Sequence, residues 1–199
     1  MLKKALSGVS AGILISIGGT VFLSCENRIA GAVFFSVALL CICYKGYSLF
    51  TGKVGYLPEY HSREAVSVLL WGLLGNAAGT LVCGLLIRYA LPAAGTAAET
   101  CAAAKLAQLP LQTLIRAFFC GVLMYLAVSI FRDAKTPLGI LFCIPVFILS
   151  GFEHSIADMF YLAAAAAFTG RALGFLCLVL IGNSLSGVAL PLLGLGKTK

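Results

Sequence analysis

Apolar runs alternate with short polar linkers along the whole chain of 199 residues. The runs cover residues 5–25, 29–45, 65–91, 106–131, 138–168 and 171–194. A helix of about 20 apolar residues, and at least about 17, crosses the hydrocarbon layer of a bilayer, so each run is long enough to do so. The pattern therefore predicts an all-α membrane protein with six transmembrane helices in the lipid bilayer and an Ala-rich linker at 92–104.

The positions of lysine and arginine in the linkers predict the orientation of these helices. With the N-terminus in the cytoplasm, eight of these residues face the cytoplasm: Lys3, Lys4, Lys53, Arg63, Arg132, Lys135, Lys197 and Lys199. Four face the opposite side: Arg28, Arg88, Lys105 and Arg171. Because cytoplasmic loops carry an excess of positive charge, we expect a multi-pass protein of the cell's inner (plasma) membrane with both termini in the cytoplasm.

The composition argues against a soluble protein. Hydrophobic residues make up 61% of the chain and charged residues only 11%, whereas soluble domains contain about 25% charged residues. The net charge of +7 would suggest nucleic-acid binding in a soluble domain, but the cations lie between apolar runs and form no basic helix. The eight cysteines lack zinc or redox spacing. We therefore expect no nucleic acid, metal or cofactor.

The fifth run, 138–168, is too long for a straight crossing and carries three ionisable residues. Its 31 residues would form a helix of about 46 Å, whereas the hydrocarbon layer is about 30 Å thick. We expect a break at Ser150-Gly151, since glycine adopts backbone angles that other residues resist. Glu153, His154 and Asp158 follow this break, and ionisable groups at membrane depth require water, a partner or a substrate.

Each of the three ionisable residues has a predicted role. Histidine normally titrates near neutrality, with a reference pKa of about 6.5, so His154 is predicted to exchange a proton with a weak acid in a pore. The alternative is a histidine that only forms hydrogen bonds between helices. If the helix resumes after Gly151, Asp158 lies one turn beyond His154 and accepts a hydrogen bond from its ring; otherwise Asp158 faces outward. Glu153 is expected to bind free backbone N–H groups at the start of the second half-helix.

Two segments of the first half of the chain resemble two of the second half. Residues 46–57 (GYSLFTGKVGYL) align without a gap with 151–162 (GFEHSIADMFYL), at an offset of 105. Residues 73–76 (LLGN) align with 180–183 (LIGN), at an offset of 107. The near-equal offsets indicate an internal repeat.

A repeat of three spans is odd-numbered, so its second copy enters the membrane from the opposite side. Inverted repeats with paired broken helices indicate a transport pathway at the bilayer midplane. We therefore predict a single transmembrane channel domain, residues 1–199, with inverted repeats at approximately 1–91 and 105–194 and with broken helices 2 and 5.

Two segments resemble signature sequences of the formate/nitrite transporter family. Gly151 to Phe160 (GFEHSIADMF) is similar to the family's G-F-E-H-S-x-A-N-M-x, and Leu49 to Gly52 (LFTG) is similar to its E-L-F-T-G/S loop. Weaker matches are Trp71 with Asn76, Lys105, Arg116 to Val128, and Gly182-Asn183. The sequence departs from the family at three positions: Ser48 in place of Glu, Gly121 in place of Asn, and Asp158 in place of Asn.

The resemblance implies a homopentamer with an aquaporin-like pore of six helices, in a 3+3 arrangement, in each subunit. It implies that His154 is the central pore histidine, that Lys105 concentrates anions in a vestibule, and that Thr51 binds the substrate or His154. It also assigns three apolar residues to pore constrictions, with core packing as the alternative: Phe35, Leu39 and Phe147. The glycine-flanked Asn76 and Asn183 are expected to bind the backbone of the loops.

The predicted function is transport rather than catalysis by an enzyme. We expect a channel or proton-coupled transporter for small monovalent weak-acid anions, or their neutral acids, such as formate, nitrite, hydrosulfide, acetate or lactate. One alternative is an aquaporin-like pore for neutral small solutes, although paired Asn-Pro-Ala boxes are lacking. A remote alternative is an intramembrane hydrolase using Ser150 or Ser155 with His154, but the sequence has no G-x-S-x-G elbow.

Overall fold

The computed structural model describes residues 1–60 and 62–193, and regular secondary structure there is entirely helical. The α-helices of this part are α1 (Leu2–Ser24), α2 (Arg28–Lys45), α3 (Phe50–Lys53), α4 (Arg63–Ala90), α5 (Pro92–Leu106), α6 (Pro110–Ala134), α7 (Leu138–Leu149), α8 (Ser155–Ala164) and α9 (Gly170–Leu192). A single 3-10 turn, Val54–Tyr56, follows α3. Gly194, Lys197 and Lys199, which entered the span and orientation predictions, lie outside the described residues.

Five helices of the described chain are long and apolar enough to cross a membrane: α1, α2, α4, α6 and α9. The fifth predicted span corresponds to α7, of 12 residues, and α8, of 10 residues. At 1.5 Å per residue these helices are about 18 Å and 15 Å long, each shorter than the hydrocarbon layer of about 30 Å. The architecture is therefore all-helical, with the long apolar helices of an integral membrane protein.

Two glycines with left-handed backbone follow α2 and α7. Gly46 has φ 68° and Gly151 has φ 70°, a conformation that residues with a Cβ rarely adopt. At both places a few non-helical residues separate the glycine from the next short helix, which starts at Phe50 in one case and at Ser155 in the other. The chain therefore makes similar turns at equivalent points of the two aligned segments.

The prediction of a linker at 92–104 is wrong, because these residues form most of helix α5. Pro92 occupies the first turn, where its missing N–H costs no helical hydrogen bond, and alanine has the highest helix propensity. The helix buries Ala94, Ala98 and Ala102. It ends just after Lys105, which α5 brings against α8.

Glycine positions bring the long helices into backbone contact in two pairs. α1 packs most extensively on α4, and α6 on α9. A Cβ added to Gly79 of α4 would lie 2.6 Å from the carbonyl oxygen of Val9 in α1. A Cβ added to Gly182 of α9 would lie 2.9 Å from the carbonyl oxygen of Leu114 in α6. Small residues let helices approach this closely in membranes.

Candidate functional site

His154 is buried, with 2% of its surface exposed, and lies immediately before α8. Its backbone is extended (φ −111°, ψ 111°), and its ring Nδ1 accepts a hydrogen bond from the backbone N–H of Ala157 at 3.1 Å. Because Nδ1 accepts, the neutral ring carries its proton on Nε2. Nε2 lies 2.8 Å from Oγ1 of Thr51, so it donates to that hydroxyl group. The expected contact between Thr51 and His154 is confirmed.

Asp158 does not bind the ring of His154, contrary to the expectation from their spacing of four residues. The spacing rule requires both residues to be helical, but α8 starts only at Ser155. His154 instead caps the helix and presents its ring to Ala157 and Thr51. The carboxylate of Asp158 lies 2.8 Å from Nζ of Lys105.

Glu153 does not cap α8 either, so its predicted contact with free backbone N–H groups is wrong. His154 takes that position. The carboxylate of Glu153 accepts hydrogen bonds from Lys105 Nζ and, at 2.6 Å, from Gln108 Nε2. Glu153 and Asp158 therefore meet at the same lysine, whose Nζ also lies 5.5 Å from the ring centre of Tyr161.

Asn183 binds the backbone of the two residues that flank His154 in the chain. Its Oδ1 accepts a hydrogen bond from the backbone N–H of Ser155 at 2.9 Å. Its Nδ2 donates to the carbonyl oxygens of Ala117 and Glu153, at 2.8 and 2.9 Å. The side chain thus joins α9, α6 and the segment before α8.

Asn76 makes the same set of bonds in the first half of the chain. Its Oδ1 accepts from the backbone N–H of Phe50 at 2.9 Å. Its Nδ2 donates to the carbonyl oxygens of Gly8 and Ser48, at 2.8 and 2.9 Å. Both asparagines are buried, and their predicted binding to loop backbone is confirmed.

Phe147 packs against the ring of His154 and belongs to the same buried core as Phe35 and Leu39. Phe35 and Phe147 are edge to face with ring centres 6.2 Å apart, and Phe147 stacks on the His154 ring at 5.6 Å. Leu39 is one turn of α2 beyond Phe35. All three apolar residues are less than 5% exposed. We call Phe35, Leu39 and Phe147 the apolar ring.

Two cavities end at members of this ring. The Lys105 cavity, of about 430 Å³, is lined by residues that include Lys105, Glu153, Asp158, His154 and Phe147. The Lys53 cavity, of about 240 Å³, is lined by residues that include Leu39, Lys53, Tyr56 and Arg132. His154 and Phe147 line the first cavity and Leu39 the second, so members of the apolar ring border both spaces. The lining of the Lys53 cavity is basic, whereas that of the Lys105 cavity combines basic and acidic side chains.

The sequence patterns did not identify several residues of these cavities. Gln108 was assigned to no site, yet it binds Glu153. Tyr56 and Arg132 line the Lys53 cavity, with the guanidinium 4.2 Å from the centre of the tyrosine ring. Burial raises the pKa of the Tyr56 hydroxyl above its ordinary value. The aromatic residue and cation are 76 positions apart, so no local pattern relates them.

The described residues contain no group of three or more His, Cys, Asp or Glu side chains arranged to hold a metal ion. The eight cysteines are all free thiols.

Comparison with known proteins adds independent information. A family profile described as "Formate/nitrite transporter" matches residues 1–195. The "Nitrite transporter NirC" of Salmonella typhimurium is 28% identical over 219 aligned residues, which cover 98% of this chain and 80% of that protein.

Two solved structures have a similar fold. One, described as "FNT family ion channel", has a TM-score of 0.78 and 26% identity, covering 98% of this chain and 87% of its own. The other, described as "Pentameric formate channel with formate bound", has a TM-score of 0.77 and 22% identity. The match covers 98% of this chain and 94% of that channel's chain. The relatives are thus described as transporters and channels, not as enzymes.

Proposed function

The chain belongs to the formate/nitrite transporter family, and on that premise we propose that it carries small monovalent weak-acid anions across the inner membrane. Formate, nitrite, hydrosulfide, acetate and lactate are the candidate substrates, moved as anions or as their neutral acids. The observation that carries the proposal is a buried histidine beside an apolar ring whose members line two cavities that contain basic side chains. We further propose a homopentamer in which each subunit contains its own pore.

The pathway runs from one cavity through the apolar ring to the other. Arg28, Lys105 and Arg116 line the Lys105 cavity, and cations in a cleft raise the local concentration of anions. A bare anion loses its hydration at Phe35, Leu39 and Phe147, which costs several kcal/mol. A neutral acid avoids most of this cost, so a proton must join the anion before it crosses the ring.

His154 lies where that proton is needed. A second proton on its ring must go to Nδ1, which currently accepts the hydrogen bond from Ala157. Protonation therefore requires this bond to open and loosens the first turn of α8. We propose that the proton reaches the anion from water or through His154, and that the acid releases it in the Lys53 cavity, where Lys53 and Arg132 attract the anion.

The inverted repeat is part of the same proposal. Asn76 and Asn183 make equivalent sets of three hydrogen bonds, and left-handed glycines precede both short helices. These observations support helices 2 and 5 as broken helices of two copies, approximately 1–91 and 105–194. On this arrangement six crossings place both termini in the cytoplasm and the Lys105 cavity on the outer side.

Flux into vesicles tests the proposed function. Purified protein in proteoliposomes should increase formate and nitrite permeation over empty vesicles, with a rate that changes between about pH 5 and about pH 8, the range in which histidine titrates. Comparing formate, nitrite, hydrosulfide and lactate in one preparation ranks the substrates. Permeation equal to that of empty vesicles at every pH would refute the proposal. Glycerol or urea flux that is indifferent to pH would favour a pore for neutral solutes.

A further inference from the structure

The single positive charge of Lys105 faces a larger negative charge on the side chains around it. Its Nζ contacts the carboxylate of Glu153 and lies 2.8 Å from Oδ1 of Asp158. The side chain of Glu153 is 2% exposed and that of Asp158 is 1% exposed, while that of Lys105 is 14% exposed. One ammonium group therefore faces two buried carboxylates.

The two carboxylates are not equally well bound. Glu153 accepts hydrogen bonds from both Lys105 and Gln108. Asp158 Oδ1 approaches Lys105 without hydrogen-bond geometry, and Asp158 Oδ2 has no hydrogen-bond partner among the described residues. A buried carboxylate whose charge and oxygens are not satisfied costs several kcal/mol. A proton would remove that charge and turn one oxygen into a donor.

Among the described residues, no other nearby group offsets the second carboxylate. The titratable and charged groups around Asp158 are Lys105 and Cys101 of α5, Cys120 of α6, Tyr161 of α8, and Glu153 and His154 before α8. Gly19 of α1 lies against Phe160 and Tyr161 of α8, and Asn183 of α9 binds the backbone of Ser155; neither residue titrates. Arg88 of α4 binds the carbonyl oxygen of Ala164 at the far end of α8. Arg28 and Arg116 line the same cavity but are solvent-exposed.

We propose that Glu153 and Asp158 bind one proton between them, so that the pair is a proton-binding site of the Lys105 cavity. Both carboxylates contact the same nitrogen, which places them side by side. The proton is taken from water at the mouth of the cavity and returns there. With the proton bound, Lys105, Glu153 and Asp158 together are neutral; without it they carry one net negative charge.

The consequence for transport rests on the proposed function. An anion that enters the Lys105 cavity meets a neutral cluster when the proton is bound and a negative cluster when it is lost. At about 6 Å and an effective dielectric constant of about 20, one unit of charge is enough to reduce anion occupancy more than about tenfold. Anion entry therefore falls as the pH rises and the pair loses its proton.

Infrared spectroscopy of the wild-type protein tests the proton site without any transport measurement. At about pH 7, near neutrality where exposed carboxyl groups are ionised, we expect a C=O band of a protonated carboxyl group that shifts in D₂O and disappears on raising the pH. Asp158→Asn and Glu153→Gln should each lose the band, because each leaves one carboxylate for Lys105. Glu99→Gln, at a half-exposed carboxylate paired with Arg88, should keep it. Absence of the band from the wild type, or its persistence in Asp158→Asn, overturns the proposal.

Flux measurements test the effect on anions. The ratio of formate flux in Asp158→Asn to that in wild type should rise about tenfold or more between about pH 5 and the pH at which the infrared band has disappeared, because the variant cannot become negative. The same ratio for Glu99→Gln should stay flat. A flat ratio for Asp158→Asn overturns the effect on entry. A band without weak-acid flux at any pH would refute the proposed function and leave the proton site intact. Weak-acid flux without the band would refute the proton site and leave the proposed function intact.

Discussion

Replacing Asn183 by leucine removes three buried hydrogen bonds at once while nearly preserving side-chain size. The backbone N–H of Ser155 and the carbonyl oxygens of Ala117 and Glu153 lose their partner. An unpaired buried polar group costs about 1–3 kcal/mol, and interhelical hydrogen bonds in membranes average about 0.6 kcal/mol. For three bonds we expect a loss of about 3 kcal/mol, which corresponds to about 6–12 °C in Tm for a chain of this size.

Thermal unfolding of the detergent-solubilised protein measures this loss. Asn76→Leu should have a similar effect, because Asn76 also makes three buried hydrogen bonds. Asn27→Leu is the matched control. Asn27 caps α2 at an exposed position, where removing a cap costs about 1 kcal/mol. If Asn183→Leu lowers Tm no more than Asn27→Leu does, Asn183 does not hold the segment around His154.

Three further changes test the site. His154→Asn keeps an oxygen that caps α8 but cannot titrate, so transport should persist with weaker pH dependence; an unchanged pH profile of flux would exclude proton exchange through His154. Thr51→Val leaves His154 Nε2–H without its acceptor, which should lower stability by about 1–3 kcal/mol; an unchanged Tm contradicts this. Phe147→Ala opens the apolar ring and should raise chloride conductance in planar bilayers. Leu86→Ala, at an exposed position, should not raise it. Equal chloride conductances of the two variants would show that Phe147 is not a barrier to the anion.

Local sequence patterns predicted the features that depend on local physics. Apolar length predicted the long helices, and glycine predicted the turn at Gly151, because both properties belong to a few consecutive residues. The repeated Gly-Asn pairs predicted that Asn76 and Asn183 would bind loop backbone. The helix at 92–106 was missed because this Ala-rich segment lies between two apolar runs and was interpreted as a linker, although its alanines favour a helix.

The contacts of the site were harder to predict because they join distant parts of the chain. Lys105 meets Glu153 and Asp158 across 48 and 53 positions, and nothing in the local sequence of α5 indicates that pairing. The roles of His154 and Glu153 depended on where α8 begins. Helix α8 begins at Ser155, one residue after His154, and not directly after Gly151. His154 is therefore the N-terminal cap of the helix, and the side chain of Glu153 binds Lys105 and Gln108 instead of the helix.

The two aligned segments have similar backbones but different side chains, and this difference explains where the chemistry lies. At the offset of 105, Leu49 aligns with His154 and Lys53 with Asp158. Leu49 precedes α3 without a side-chain cap, whereas His154 caps α8. Equivalent asparagines hold both segments, so Thr51 of the first reaches the histidine of the second at 2.8 Å. The hydrogen-bonded frame is the same on both sides, so the difference lies in the side chains: the histidine and the two carboxylates that meet at Lys105 belong to the second segment.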